Sequence, residues 1–271
     1  LIESMALLAS IWFLWLFDRM CRKPNLWWAL AAALTGGIAV LVKVTTFIPW
    51  CAAAAIIGFC WSWREWRMGG FRAWSKTVGW GALIASVPGF SILAWLRFAD
   101  TIKNQSPGGT DLASAALSDV NFGGWQDRVG AESLTSLARE MGKGTLPWWS
   151  LVVVAVAGIF MFNRSGRKSV TMVLWFAATL MLFPVLYHRH DYYFYAVAVL
   201  PVCALGVILD QWLRHRVMQW VAIIGLVGIV ISQAASYHSN YWYLQHLVSN
   251  GGTGLTNFMK DMLPAKGAIV V

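Results

Sequence analysis

Lys43 is the first residue whose type and position could support chemistry. It interrupts an apolar run that begins at Gly36, and Thr45 and Thr46 follow it with two hydroxyl groups. An ammonium group in this position can bind a phosphate as a point charge. The alternative is a lysine whose long stem only carries its charge to the lipid headgroups. The pattern therefore predicts either a phosphate site or an interface anchor at Lys43.

A second group, residues 187–193, places two histidines, one arginine, one aspartate and three tyrosines between two apolar runs. Ionisable groups in or near lipid are unfavourable, so such a group marks a candidate functional site. Arg189 offers paired donors to a phosphate, and His190 can donate a hydrogen bond or move a proton. An exposed polar turn beside a tyrosine belt, which would include Tyr192 and Tyr193, is the alternative interpretation.

Glu3 is the third candidate, at the start of the first apolar run. A carboxylate beside a phosphate site can accept the proton of an attacking hydroxyl. The alternative is an acid near the end of the chain that is simply solvated. Glu3 is therefore a candidate catalytic residue.

The elements that would position these residues are transmembrane helices. Hydrophobic types make up 58% of the 271 residues and charged types only 12%, whereas a soluble domain has about 25% charged residues. A spanning helix needs about 20 mostly apolar residues, and open backbone cannot face lipid. The sequence predicts an all-α transmembrane bundle of about eight spans. The runs lie at about 4–17, 27–42, 47–62, 78–98, 147–162, 170–187, 193–210 and 217–235.

Every second connection between these runs is basic, and basic loops favour the cytoplasm. The remaining connections would lie outside, and the long one at 99–146 is slightly acidic and contains a predicted short surface helix at Leu134–Met141. We therefore expect an integral protein of a bacterial inner membrane. The basic connections contain Arg19, Arg22 and Lys23, then Arg64, Arg67, Arg72 and Lys76, then Arg164, Arg167 and Lys168, then Arg214 and Arg216.

The predicted domains are a transmembrane domain over 1–236, which includes the outer loop 99–146, and the start of an outer segment over 237–271. The first residues have the composition of the interior of a helix, and the last residues that of the start of a strand. The sequence is therefore expected to be a fragment of a longer protein.

Several classes of function are disfavoured. The net charge of +9 is distributed over short loops and not over one face with stacking aromatic residues, so no nucleic-acid partner is expected. The four cysteines lack zinc-site spacing and a disulfide framework, and phosphate-loop and dinucleotide motifs are absent from the sequence. No cofactor is predicted, and dependence on a divalent metal stays open.

Three passages together resemble the polytopic GT-C glycosyltransferases, and within them glycosyltransferase family 39, which includes the dolichyl-phosphate-mannose–protein mannosyltransferases and the aminoarabinose transferases. The first passage is Ile2-Glu3-Ser4, which opens a helix that ends in a basic loop. The second is the glycine-rich helix that ends in Leu41-Val42-Lys43-Val44-Thr45. The third is His190-Asp191-Tyr192-Tyr193, followed by Leu200-Pro201.

The resemblance implies transfer of a sugar from a polyprenyl-phosphate donor to an unknown glycan, lipid or protein acceptor on the outer face of the membrane, with membrane lipid as a further partner. It places the catalytic acid of the family in a first outer loop that this sequence lacks, so the chain alone is expected not to complete the transfer. The alternatives are a transporter or flippase of lipid-linked sugars, or a scaffold without chemistry. The donor phosphate would be bound by Lys43, Thr45, Arg189, His190, Tyr192 and Tyr193, with Glu3 as a second acidic position.

Overall fold

The computed structural model describes residues 2–106, 109–161, 163–242, 245–246, 248 and 252. Within these residues the chain is helical almost throughout and contains no β-strand. The predicted all-α fold is confirmed.

The first two helices, α1 (Ile2–Arg22) and α2 (Leu26–Val42), form an antiparallel hairpin. Asn25 ends the turn between them, and its side-chain oxygen accepts a hydrogen bond from the backbone N–H of Trp27 at 2.8 Å. This is N-capping, in which a side chain satisfies a backbone donor of the first helical turn. The hairpin returns the chain from Arg22 to the end of the bundle at which α1 begins.

The third helix, α3 (Val44–Lys103), contains 60 residues but has a break at Gly70. The backbone angles there are φ 65° and ψ −157°, a conformation that glycine adopts far more readily than other residues. The break divides α3 into a first arm, residues 44–69, and a second arm, residues 71–103. The two predicted spans at 47–62 and 78–98 lie on these arms, and the basic segment between them is helical except at Gly70.

Close packing joins these three helices. Phe13 of α1, Val40 of α2 and Phe47 of α3 are at most 3% exposed and belong to one apolar core. A Cβ atom added at Gly36 would lie 2.8 Å from the side chain of Pro88, so the absence of a side chain lets α2 approach the second arm. This packing places the start of α1 beside the end of α2.

Residues 99–146 and the helices after them continue the chain. The predicted surface helix at Leu134–Met141 is part of α6, which confirms the helix, while its position on a membrane stays a prediction. A 3₁₀ segment, Asp191–Ala196, precedes α10. The further helices are α4 (Leu117–Phe122), α5 (Trp125–Val129), α6 (Ala131–Gly144), α7 (Trp148–Phe160), α8 (Arg164–Leu182), α9 (Pro184–Arg189), α10 (Val199–Leu213) and α11 (Met218–Tyr237).

Three of the described helices are long and apolar enough to cross a membrane: Ile2–Arg22, Val44–Lys103 and Met218–Trp242. A fourth span is possible if α6 and α7, bent by 94°, act as one broken element. These are fewer than the eight spans predicted. The helices α2, α7 and α10 lie in predicted spans but have only 17, 13 and 15 residues, and the run at 170–187 is interrupted at Phe183.

The chain divides into two compact units, Leu1–Ile208 and Leu209–Val271. The first unit contains every candidate site residue. In the second unit, α11 is followed by a π-helical turn, His238–Trp242. Most of the predicted outer segment 237–271 lies outside the described residues.

Candidate functional site

Lys43 occupies a one-residue break between α2 and α3. Its backbone is extended, with φ −165° and ψ 104°. Its N–H donates to the carbonyl of Ala39 at 3.0 Å, and its carbonyl accepts from the N–H of Phe47 at 3.2 Å. One helix therefore ends and the next begins around the same residue, which fixes the origin of the Lys43 side chain.

The Lys43 ammonium donates to the carboxylate of Glu3 in the first turn of α1. The two side chains are 16% and 18% exposed, so both charges are largely withdrawn from solvent. Pairing offsets the desolvation that each would suffer alone. By contrast, ion pairs such as Arg22–Asp18 join residues four positions apart on one helix. The Glu3–Lys43 pair joins residues 40 positions apart and brings two of the predicted site residues together.

Tyr193 completes this cluster from the 3₁₀ segment. The Nζ atom of Lys43 lies 3.7 Å from the centroid of the Tyr193 ring, a cation–π geometry. The ring of His190 lies 5.9 Å from that of Tyr193, and His190 is exposed. The structure thus gathers four predicted residues, Glu3, Lys43, His190 and Tyr193, into one group, which we call the Lys43 cluster.

Buried aromatic neighbours hold Tyr193 in place. Tyr187 is 2% exposed and Phe194 is fully buried, and their rings lie 5.0 Å apart. The ring of Tyr187 also lies 6.3 Å from that of Tyr193 at a steep angle. The 3₁₀ segment packs on α1 and α6, so both helices position it.

Three other predicted residues are less defined. Thr45 lies half-buried in the first turn of α3. The backbones of Arg189 and Tyr192 lie in α9 and in the 3₁₀ segment, but their side chains are outside the described part of the structure. Their predicted contact with a donor phosphate therefore stays a prediction.

Thr46 and Trp50 are a pair of buried polar groups that the sequence predicted only in part. Both are at least 96% buried, and their Oγ1 and Nε1 atoms have no hydrogen-bond partner among the described residues. They lie four residues apart and so share one face of the first arm. Only Thr46 was a candidate from sequence, since a tryptophan donor is not distinguishable there from an ordinary core residue.

An apolar cavity of about 750 Å³ lies between α1 and the two arms of α3. Phe47, one turn beyond Lys43, lines it at one end, and Trp61 lines it further along the first arm. Those two residues are 14 positions apart, which corresponds to about 21 Å of helix. Small residues widen the space. Ala52, Ala55, Gly58, Gly81, Ala85 and Gly89 are among them.

A smaller, polar cavity of about 390 Å³ lies where α5 and α6 meet α9. Asp127, Glu132 and His188 line it, together with Gln126 and Ser133. The Oδ2 atom of Asp127 accepts the N–H of Gly124 at 2.7 Å, which orients the carboxylate. Local spacing contains no signal for this cavity, because Glu132 and His188 are more than fifty positions apart.

The two arrangements differ in what they can do chemically. The Lys43 cluster presents a cation beside an apolar cavity, which suits an anionic group attached to a long apolar chain. The polar cavity presents carboxylates and an imidazole, which suit hydroxyl groups. Among the described residues, no group of three or more His, Cys, Asp or Glu side chains could hold a metal ion.

Comparison of the chain with protein-family models, with curated proteins and with solved structures finds no match to any of them. The geometry of the site is therefore the basis on which a function can be inferred.

Proposed function

We propose that this chain is part of a membrane glycosyltransferase that moves a sugar from a polyprenyl-phosphate donor to an acceptor on the outer face of the membrane. The observation that carries the proposal is that Lys43 lies one helical turn before Phe47, which lines the apolar cavity. A phosphate at Lys43 would leave its prenyl chain next to an apolar space. In this proposal Lys43 binds the phosphate of a polyprenyl phosphate, and the apolar cavity takes up its prenyl chain.

The Lys43 cluster would stabilise the leaving phosphate. Negative charge develops on the phosphate as its bond to the sugar breaks, and a fixed cation stabilises that charge in a site with little water. Glu3 holds the ammonium in place before the ligand arrives. Tyr193, in the 3₁₀ segment, contacts the same ammonium with the face of its ring. In the proposal Thr45, Arg189, His190 and Tyr192 add donors to the same phosphate.

The transfer itself requires a base. The acceptor oxygen forms a bond to the anomeric carbon, the carbon–oxygen bond to phosphate breaks, and the polyprenyl phosphate leaves with the electron pair. The hydroxyl proton passes to a carboxylate. Glu3 is one candidate, although Lys43 engages its Oε1 atom. The polar cavity offers Asp127 and Glu132 as further candidates.

In this proposal the chain belongs to a bacterial inner membrane, with its basic connections in the cytoplasm and residues 99–146 outside. The eight predicted spans then require the shorter helices, such as α2 and α10, to cross the bilayer as well. Helices of 17 and 15 residues can do so where the bilayer thins around them.

Binding of a polyprenyl monophosphate to the chain in lipid nanodiscs tests the proposal. Lys43→Ala removes the central cation, and Lys168→Ala is the matched control, since Lys168 is an exposed lysine of α8 that is not part of the Lys43 cluster. We expect Lys43→Ala to weaken binding at least about tenfold, because a charge-assisted hydrogen bond contributes about 1.5–3 kcal/mol. Equal affinity in both variants would refute the phosphate site.

A further inference from the structure

The end of the first unit opposite to the Lys43 cluster carries a dense set of cations. Glu3 lies in the first turn of α1, and Lys43 directly precedes the first arm of α3, so the two helices run in the same direction from one ion pair. Packing of Gly58 against Phe17 keeps them together further along. Cys21 of α1 and Trp61 of the first arm belong to the same buried core, so the two helices still pack together near their far ends.

The two segments at this end, residues 18–23 and 64–76, carry seven exposed cations and two carboxylates, Asp18 and Glu65, which leaves five positive charges. We call this surface the basic end. The cations are Arg19, Arg22, Lys23, Arg64, Arg67, Arg72 and Lys76.

Aromatic side chains are interleaved with these cations. The ring of Trp74 lies 5.6 Å from both Trp66 and Phe71, so residues on either side of the Gly70 break form one aromatic group. The guanidinium of Arg67 lies 5.3 Å from the ring centroid of Trp63. Trp63, Trp66 and Phe71 are 53%, 45% and 67% exposed, which is unusual for large apolar side chains in contact with water.

This combination fits the boundary between hydrocarbon and headgroups. Tryptophan prefers that depth, and it would set the Gly70 turn at the level of the lipid phosphates. Clusters of four or more basic residues at such a position attract anionic lipids. The paired Asp18–Arg22 and Glu65–Arg64 contacts leave the positive excess of the surface intact.

We propose that the basic end is a binding surface for anionic phospholipid headgroups, formed jointly by the turn after α1 and by the Gly70 turn of α3. The occupant is a lipid with a phosphodiester headgroup of net negative charge. This inference does not depend on sugar transfer, because the basic end and the Lys43 cluster are at opposite ends of the same helices.

The test uses the full chain, purified from mixed vesicles of phosphatidylcholine with a minor fraction of phosphatidylglycerol. The mole fraction of phosphatidylglycerol that co-purifies is measured by mass spectrometry. Arg64→Gln/Arg67→Gln/Arg72→Gln/Lys76→Gln is compared with a control that removes four exposed cations of the first unit outside the basic end, Arg97→Gln/Arg139→Gln/Arg167→Gln/Lys168→Gln. Because each cation near an anionic surface changes the affinity about fivefold, we expect the first variant to lower the enrichment at least about fivefold and the control to lower it less.

Enrichment that survives in the first variant, or an equal loss in both variants, would overturn the proposal. If the fourfold variant does not fold, the double variant Arg72→Gln/Lys76→Gln on the second arm replaces it with the same criteria. Inorganic phosphate added to the wild type is expected to leave the lipid bound. Displacement by phosphate would identify a site for the free ion instead and would also overturn the proposal.

Discussion

The Nζ atom of Lys43 lies 3.7 Å above the ring of Tyr193, although the two residues are 150 positions apart in the chain. This contact links the α2–α3 junction to the 3₁₀ segment, which α6 also contacts. Ligand binding at Lys43 and the conformation of residues 191–196 are therefore expected to influence each other.

The first prediction concerns the face of the Tyr193 ring. A cation–π contact contributes about 0.5–2 kcal/mol and needs the aromatic face but not the hydroxyl. We expect Tyr193→Phe to retain wild-type affinity for a polyprenyl monophosphate and Tyr193→Leu to weaken it about two- to thirtyfold. Titration in nanodiscs measures both. If Tyr193→Phe were as weak as Tyr193→Leu, the hydroxyl would be the group that matters.

The second prediction separates the structural and the binding roles of the Glu3–Lys43 pair. Glu3→Gln leaves a largely buried ammonium without its carboxylate and should destabilise the protein by about 1–3 kcal/mol. The exchange Glu3→Lys/Lys43→Glu should recover most of that stability, because the pair is restored in reverse. Thermal unfolding in detergent measures both effects.

The same exchange should not recover phosphate binding. A lysine at position 3 originates from α1 and lacks the placement beside Tyr193 that the break at Lys43 provides. Polyprenyl-monophosphate affinity equal to wild type in the exchanged protein would show that only net charge is required.

The third prediction tests the close approach of α2 to the second arm of α3. A Cβ at Gly36 would lie 2.8 Å from Pro88 and 3.0 Å from Phe13, so Gly36→Ala overpacks the core and should cost about 1–3 kcal/mol. Gly225→Ala in α11 is the control, since an added Cβ there meets no atom within 4 Å. It should be neutral or stabilising, because alanine favours helix by about 1 kcal/mol.

Local patterns predicted the helices well, because a run of apolar residues decides both burial and backbone hydrogen bonding. They predicted continuity less well. The segment between Arg64 and Lys76 was expected to be a loop on account of its charge, but its arginine, glutamate and methionine residues favour helix, and Gly70 alone turns the chain. The run at 193–210 begins with a 3₁₀ segment because Tyr187 and Phe194 bury their rings together there.

The candidate site divides in the same way. Lys43 and residues 187–193 could be selected from sequence, since ionisable groups stand out in an apolar chain. Their meeting with Glu3 depends on how α1, α2 and the 3₁₀ segment pack, and such packing leaves no trace in local spacing. The polar cavity was missed for the same reason, because Asp127 and Glu132 resemble ordinary loop acids until α9 is placed beside them.

The fourth prediction separates the tail of the ligand from its phosphate. The apolar cavity is open because small residues line it, so Ala55→Phe should fill part of it without adding a polar group. The variant is expected to weaken a long-chain polyprenyl monophosphate at least about tenfold. It should change the affinity for a short-chain geranyl monophosphate less than about twofold, because the binding of that ligand depends mainly on the charge of its phosphate. These magnitudes follow from about 0.8 kcal/mol for each methylene group that the cavity no longer buries.

Lys43→Ala should show the converse pattern, with a loss for both ligands that does not depend on chain length. Gly206→Ala is the control for a side chain enlarged outside the cavity, and it should leave both affinities unchanged. Gly206 does not line the cavity, and an added Cβ there meets no atom within 4 Å. The two affinities are measured for each variant in the same nanodiscs. If Ala55→Phe weakened the two ligands equally, the apolar cavity would not be the site of the prenyl chain, and Lys43 would bind phosphates irrespective of what they carry.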